Sequence, residues 1–231
     1  MNIFRLDLTL HDYLFFASRE IGYLWETVPL IHNYALTYAL GFCHSTYHFS
    51  NPQIPKYSEH LEQVNIQGLY LTPARVNFAL SGSQLSDIQT WSFAFNGESN
   101  HLQMASREYT KYNNPLIGRN KSIHPEVVFT AYLIAQNCLP AINRWIRLGK
   151  WDSKAEVKLT KLSYCLLEGE FISRIYLNPL DVHPKVQMRA FDIFNMPPSS
   201  LINNLSALGK FIKLDDGEVL PWGLSYRIVE N

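Results

Sequence analysis

The chain has 231 residues, 47% of them hydrophobic and 17% charged, which supplies the apolar mass for a packed core and excludes a disordered polymer. Its 20 Lys and Arg balance its 20 Asp and Glu, which excludes a free, non-specific nucleic-acid binder driven by bulk positive charge. The longest nearly unbroken apolar run, Val127 to Ala135, is too short to span a bilayer, and the three distant cysteines, Cys43, Cys138 and Cys165, offer neither a disulfide framework nor a zinc spacing; a cytoplasmic protein with no membrane contact is expected.

Residues 2–10 alternate, with Phe4, Leu6, Leu8 and Leu10 on one side and Arg5, Asp7 and Thr9 on the other, as in a strand with one buried face. Asp7, His11 and Asp12 interrupt any signal-peptide core. The stretch Leu14 to Phe42 has two halves. The first mixes Phe15, Phe16, Tyr23 and Trp25 with Arg19, Glu20 and Glu26 and fits neither period, so it packs under something or meets a partner. The second predicts the clearest helix of the chain over Leu30 to Leu40, carried by the stripe Leu30, Ile31, Tyr34, Ala35, Tyr38 and Ala39. Thr27 or Val28 is its expected N-cap, Pro29 its first turn, Gly41 its stop, and His32, Asn33 and Thr37 its polar strip.

Further along, Leu69 to Leu80 reads as a strand broken by Pro73, Trp91 to Phe95 as a short strand, and Val127 to Gln136 as a central strand. Trp145 to Leu162 reads as a hairpin with its turn near Gly149 to Ser153, and Phe171 to Leu177 and Val186 to Phe194 as strands. Pro197-Pro198-Ser199-Ser200 predicts a short helix through Leu208 closed by Gly209, and a last hairpin turns at Asp215 to Glu218. The pattern is α+β, mixed in the N-terminal half and mostly β in the C-terminal half.

Positive charge is local. Arg144 to Lys161 holds six basic residues and two acids, and Asn96 to Pro125 holds four basic residues and two acids. The second is a long polar excursion between strands, with Arg107, Lys111, Arg119 and Lys121 interleaved with Tyr109 and Tyr112; basic and aromatic side chains together suit a single nucleic-acid strand. The first, RWIRLGKWDSKAEV, offers Arg144, Arg147, Lys150, Trp151 and Lys154 around one turn. Plain solvated hairpins are the competing reading of both. His44 and His48 have i, i+4 spacing without an HExxH, so no metal and no cofactor is expected. Tyr47, His48 and Lys56, or His101, Tyr109 and Lys111, are the triples that metal-free phosphodiester cleavage would draw on, but spacing alone identifies neither. Walker, GxGxxG, GxSxG and CxxC motifs are lacking.

FFASREIG, ETVPLIHNYALTYALG, LYLTPAR, RWIRLGKWDSKAEV and the terminal LPWG together resemble the type I-D CRISPR subunit of the Cas-five group, the Csc-one subunit. The resemblance implies an RRM-like (ferredoxin-like) domain over residues 1–143, with a thumb inserted at about 96–125, and a β-rich C-terminal region over 144–231 packed on it. It implies a non-catalytic, RNA-binding subunit of the Cascade effector that caps the crRNA 5′ handle. Its expected neighbours are a Cas-seven-type backbone subunit, a Cas-ten-type large subunit and target DNA near the PAM. A metal-independent endoribonuclease that processes repeat RNA is the alternative, and a scaffold without RNA contact a third reading. RNA contacts are expected from Arg19, from Arg107, Lys111, Tyr112, Arg119 and Lys121 in the thumb, and from Arg144, Arg147, Lys150, Trp151 and Lys154. Where relatives carry a glycine-rich loop, this chain has one glycine, Gly149, so Lys150 and Lys154 are expected to take over from bare backbone.

Overall fold

The computed structural model describes residues 1–43, 55–82, 88–94 and 118–227. Strands β1 (Asn2–Leu10), β2 (Arg19–Ile21), β3 (Leu24–Glu26) and β4 (Leu30–Ile31) precede helix α1 (Asn33–Ala39). Helix α2 (Tyr57–Ile66), β5 (Leu69–Leu71), β6 (Ala74–Val76) and the short helix α3 (Phe78–Ser81) follow. The remaining strands are β7 (Gln89–Ala94), β8 (Gly118–Ile123), β9 (Val128–Ala135), β10 (Trp145–Leu148), β11 (Ser153–Leu162), β12 (Tyr164–Ser173), β13 (Gln187–Phe194), β14 (Leu201–Leu214) and β15 (Val219–Pro221).

The main sheet has seven strands in the order β10-β11-β1-β9-β6-β4, with β5 also on β9. Every one of its pairings is antiparallel. β1 buries Leu6, Leu8 and Leu10 as its alternation predicts, but not on one face alone: Ile3 and Asp7 on the other side are also buried, Asp7 bonded to Arg5 and Thr130. β9 is buried at all eight positions, as a β-branched and aromatic central strand should be. Pro73 interrupts the strand formed by β5 and β6, where a missing N–H is tolerated, and Thr72 restores the ladder by donating its N–H to the Tyr132 carbonyl at 2.9 Å. The sheet curls until β10 and β5, at opposite ends, both reach α1. One apolar core runs from β1 and β9 into the C-terminal strands.

A second sheet, β12-β14-β13 with β15 on β14, begins at Tyr164. The hairpin β10–β11, grouped by sequence with the C-terminal region, belongs to the first sheet, since β11 pairs with β1 along its length. A third, small sheet, β2-β3-β8-β7, joins the irregular aromatic segment to the base of the inserted excursion.

Two helix expectations are corrected. Leu30 and Ile31 are not helical but pair with Arg75 and Ala74 as β4. α1 therefore starts at Asn33, with His32 rather than Thr27 or Val28 as N-cap; its Nδ1 accepts the N–H of Tyr34 at 3.2 Å. The segment 201–208 is not a helix but the start of β14, the central strand of the second sheet, paired with β12 on one side and β13 on the other. Two ladders of backbone hydrogen bonds outweigh a local Pro-Ser-Ser helix start.

The polar strip of α1 is buried, and its side chains are bonded to the C-terminal region. Asn33 Nδ2 donates to Asp181 Oδ2 at 2.9 Å, Thr37 Oγ1 meets the Tyr226 hydroxyl at 2.6 Å, and His32 Nε2 reaches Ser199 at 3.1 Å. Asp181 also accepts from the Tyr70 hydroxyl at 3.1 Å and the Arg227 N–H at 3.2 Å. Burial pushes the Asp181 carboxyl up to about 7, against the hydrogen bonds from Arg227 and Asn33 that favour its charged form. Burial likewise pushes His32 down to about 4. These side chains tie the helix to the C-terminal region by polar bonds that the core cannot leave unmade.

Candidate nucleic-acid interface

The expected RNA-binding residues fall into separate environments. Arg107, Lys111 and Tyr112 lie outside the described residues, as do His44, Tyr47, His48, His101 and Tyr109. Lys56 forms a surface ion pair with Glu59 at 3.0 Å. No group of three or more His, Cys, Asp or Glu suited to a metal ion occurs among the described residues.

The densest arrangement lies on β10, an edge strand of the main sheet. Alternation turns Ile146 and Leu148 inward and Trp145 and Arg147 outward. In register, Lys154 stands opposite Arg147 and Glu156 opposite Trp145. The Lys154 ammonium lies 4.0 Å from the Trp145 ring centroid and the Arg144 guanidinium 5.4 Å away. His11 meets the same ring edge-on at 5.0 Å. Arg144 also pairs with Glu156 at 2.6 Å, and that hydrogen bond holds the Glu156 carboxyl below its usual range. Arg147 donates to the Asp152 carbonyl at 3.0 Å and stays 64% exposed. A tryptophan among three cations and a histidine offers charge for phosphates and a face for a base. Trp145 and His11 were not among the expected contacts. The signal for Trp145 was present: it stands two residues from Arg147 in RWIRLG and shares its side of a strand.

Lys150 and Trp151, at the turn of the same hairpin, are placed differently. Trp151 stacks on Phe15, with centroids 4.8 Å apart and planes at 28°. The Lys150 N–H donates to the Phe15 carbonyl at 2.8 Å. Gly149 has φ +71°, and a Cβ there would sit 2.4 Å from that carbonyl oxygen. The turn is thus a seat for the aromatic segment. Lys150 is exposed, though partial desolvation lowers its pKa, with Glu20 opposing.

The seat continues into the small sheet. Phe15 packs with Trp25, and a Cβ on Gly118 would lie 2.1 Å from the Trp25 ring. This column fixes the stem strands β7 and β8 at the base of the expected thumb. On β8, Lys121 donates to Glu26 at 3.0 Å and lies 5.3 Å from the exposed Trp91 ring, while Arg119 is exposed. Arg19, on β2, lies over the Phe194 ring at 5.1 Å and so touches the second sheet. The structure therefore gathers Arg144, Arg147 and Lys154, sets Arg119 and Lys121 on the stem, and keeps Arg19 and Lys150 apart from both.

No helix among the described residues is long and apolar enough to cross a membrane. Among solved structures, a CRISPR protein from Archaeoglobus fulgidus is similar over 99% of this chain and 100% of its own, at 12% identity and a TM-score of 0.40. A chain of the type III-B Cmr-beta complex bound to cognate target RNA and AMPPnP is similar over 89% of this chain and 85% of its own, at 12% identity and a TM-score of 0.42. No curated protein matches the chain. The model of the family described as type I-D CRISPR-associated protein Cas5/Csc1 matches residues 1–228, and the chain belongs to that family.

Proposed function

We propose that this chain is the non-catalytic, RNA-binding subunit of a type I-D CRISPR effector complex. It caps the crRNA 5′ handle and joins a Cas-seven-type backbone subunit to a Cas-ten-type large subunit, with target DNA near the PAM within reach. Family membership supplies the CRISPR setting. The observation that carries RNA binding is the Trp145 surface, where Arg144 and Lys154 lie over one exposed ring of an edge strand and Arg147 stands opposite Lys154 in the ladder. The net charge of zero fits a subunit whose affinity for RNA is concentrated in such a patch and shared with partners.

An RRM-like core is part of the proposal. The antiparallel order β11-β1-β9-β5/β6, with α1 and α2 between β1 and β5, matches a split βαβ arrangement. Residues 136–144, where such a unit has its second helix, form none. The pair β7–β8, between β6 and β9, is the stem of the proposed thumb.

Ultraviolet cross-linking of the assembled complex, followed by mass spectrometry, tests the reading. Peptides from residues 144–154 joined to the 5′ handle are expected. RNA cross-links confined to neighbouring subunits would make the chain a scaffold and leave β10 an ordinary solvated edge.

A further inference from the structure

A cleft of about 520 Å³ opens between the main sheet and the second sheet, away from the Trp145 surface. Arg5, Thr130, Tyr132 and Arg75 line its floor, and Tyr176, Phe194 and Asn203 its opposite wall. Its charges are already matched. Arg5 Nε donates to Asp7 at 3.0 Å, and Asp7 also accepts the Thr130 hydroxyl at 2.7 Å. Arg75 bonds Glu218 at 2.5 Å and the Arg174 carbonyl at 3.0 Å. Tyr132 donates to Asp216 at 2.8 Å, and burial followed by that bond raises the pKa of its hydroxyl.

This chemistry disfavours a phosphate and suits a nucleobase. A phosphate entering the cleft would meet the Asp216 and Glu218 carboxylates beside two cations already paired. A neutral heterocycle meets hydrogen-bonding groups of both kinds and the half-buried rings of Tyr176 and Phe194, which pack edge-on at 6.2 Å. The volume accommodates a base with its sugar. Outside, Arg19 lies 5.1 Å from the centroid of the same Phe194 ring. It stands at the rim, where the backbone of a strand with one base turned into the cleft would pass.

We propose that the cleft receives one unpaired nucleobase of a strand held by the complex, against the rings of Tyr176 and Phe194, with Arg19 on the adjoining phosphate. The inference rests on the proposed RNA-binding role and adds a second contact to it. Two strands carry the required chemistry, the crRNA and the displaced or target DNA.

The test uses the assembled complex loaded with crRNA that carries one photoreactive thio-base at each position in turn, and in parallel with thio-substituted target DNA. One position of one strand is expected to cross-link to the peptides containing Tyr176 or Phe194. Phe194→Ala is expected to cut that cross-link about tenfold, the scale of one base–aromatic stack, with Phe194→Tyr restoring it and cross-links at residues 144–154 unchanged. Cross-linking in the RNA arm or the DNA arm identifies the strand. Cross-links at 144–154 with none in the cleft would overturn this inference and spare the RNA-binding role. Loss of cross-links from the whole chain would overturn both.

Discussion

The two open ends of the molecule are dressed in opposite ways. On β10 the outward residues are a tryptophan and an arginine, with further cations beside them. On β12 and β13, which flank the second sheet, the outward residues include Leu166, Ile172 and Ile193, exposed by 53%, 61% and 64%. Charge around an aromatic ring is stable in water and gains further from a polyanion. Aliphatic side chains left in water on the two strands that flank β14 gain only from being covered. Under the proposed function the first surface would meet RNA and the second a protein partner.

The largest effect is expected where the β10–β11 turn is seated. Gly149→Ala forces a Cβ against the Phe15 carbonyl at a positive φ and is predicted to destabilise the chain by about 3 kcal/mol in denaturant unfolding. Gly22→Ala is the control: φ is +58° but nothing lies within 4 Å, so a loss of only about 1 kcal/mol is predicted. Equal losses would mean that the hairpin turn is not held by Phe15.

Next comes the surface itself. Reversing Arg144, Arg147 and Lys154 to Glu is predicted to weaken crRNA retention by the complex about a hundredfold at ~0.15 M salt, with partner subunits still bound. The complementary set, Leu166→Lys, Ile172→Lys and Ile193→Lys, is predicted to weaken association with protein partners about tenfold in native mass spectrometry, with cross-links at β10 intact. If each set damaged both contacts alike, the division of labour between the ends would be wrong.

The smallest effect concerns how the halves are joined. The Asp181 carboxyl is raised to about 7, so the folded state binds its proton more tightly than the unfolded chain, and stability from this group falls as pH rises from about 4 to about 7. His32 is lowered to about 4, so its contribution has the opposite sign: stability rises between about 4 and 6.5. The two oppose over that window. His32→Asn keeps an N-cap side chain and removes one of the two titrations. Its thermal midpoint is predicted to fall steadily as pH rises from 4 to 7, while the parent stays nearly level below pH 6.5.

Much of the first sheet was legible because its strands obey simple periods. β1 alternates, β9 is a continuous apolar run, and the β10–β11 hairpin shows both alternation and a glycine turn. The errors share one physical origin. Leu30 and Ile31 fit a helical stripe, but Arg75 and Ala74 offer an open strand edge, and no local pattern registers that edge. The polar strip of His32, Asn33 and Thr37 was visible, but its partners, Ser199, Asp181 and Tyr226, stand more than a hundred residues away and leave no local signal. The candidate site follows the same rule. The outward position of Arg147 follows from the strand period of β10, whereas the inward placement of Trp151 depends on Phe15, from a segment whose sequence fits neither helix nor strand.

The bonds from α1 to Asp181 and Tyr226 join the N-terminal and C-terminal parts of the chain. Cut between β11 and β12, each piece would expose its share of the one apolar core that runs through both, and Asn33 and Asp181 would lose each other as partners. Neither fragment has reason to fold in water by itself, yet each supplies what the other lacks. The chain is thus suited to a split format in which two separately made halves, each fused to part of a reporter, assemble only with one another and signal their union before any RNA is present.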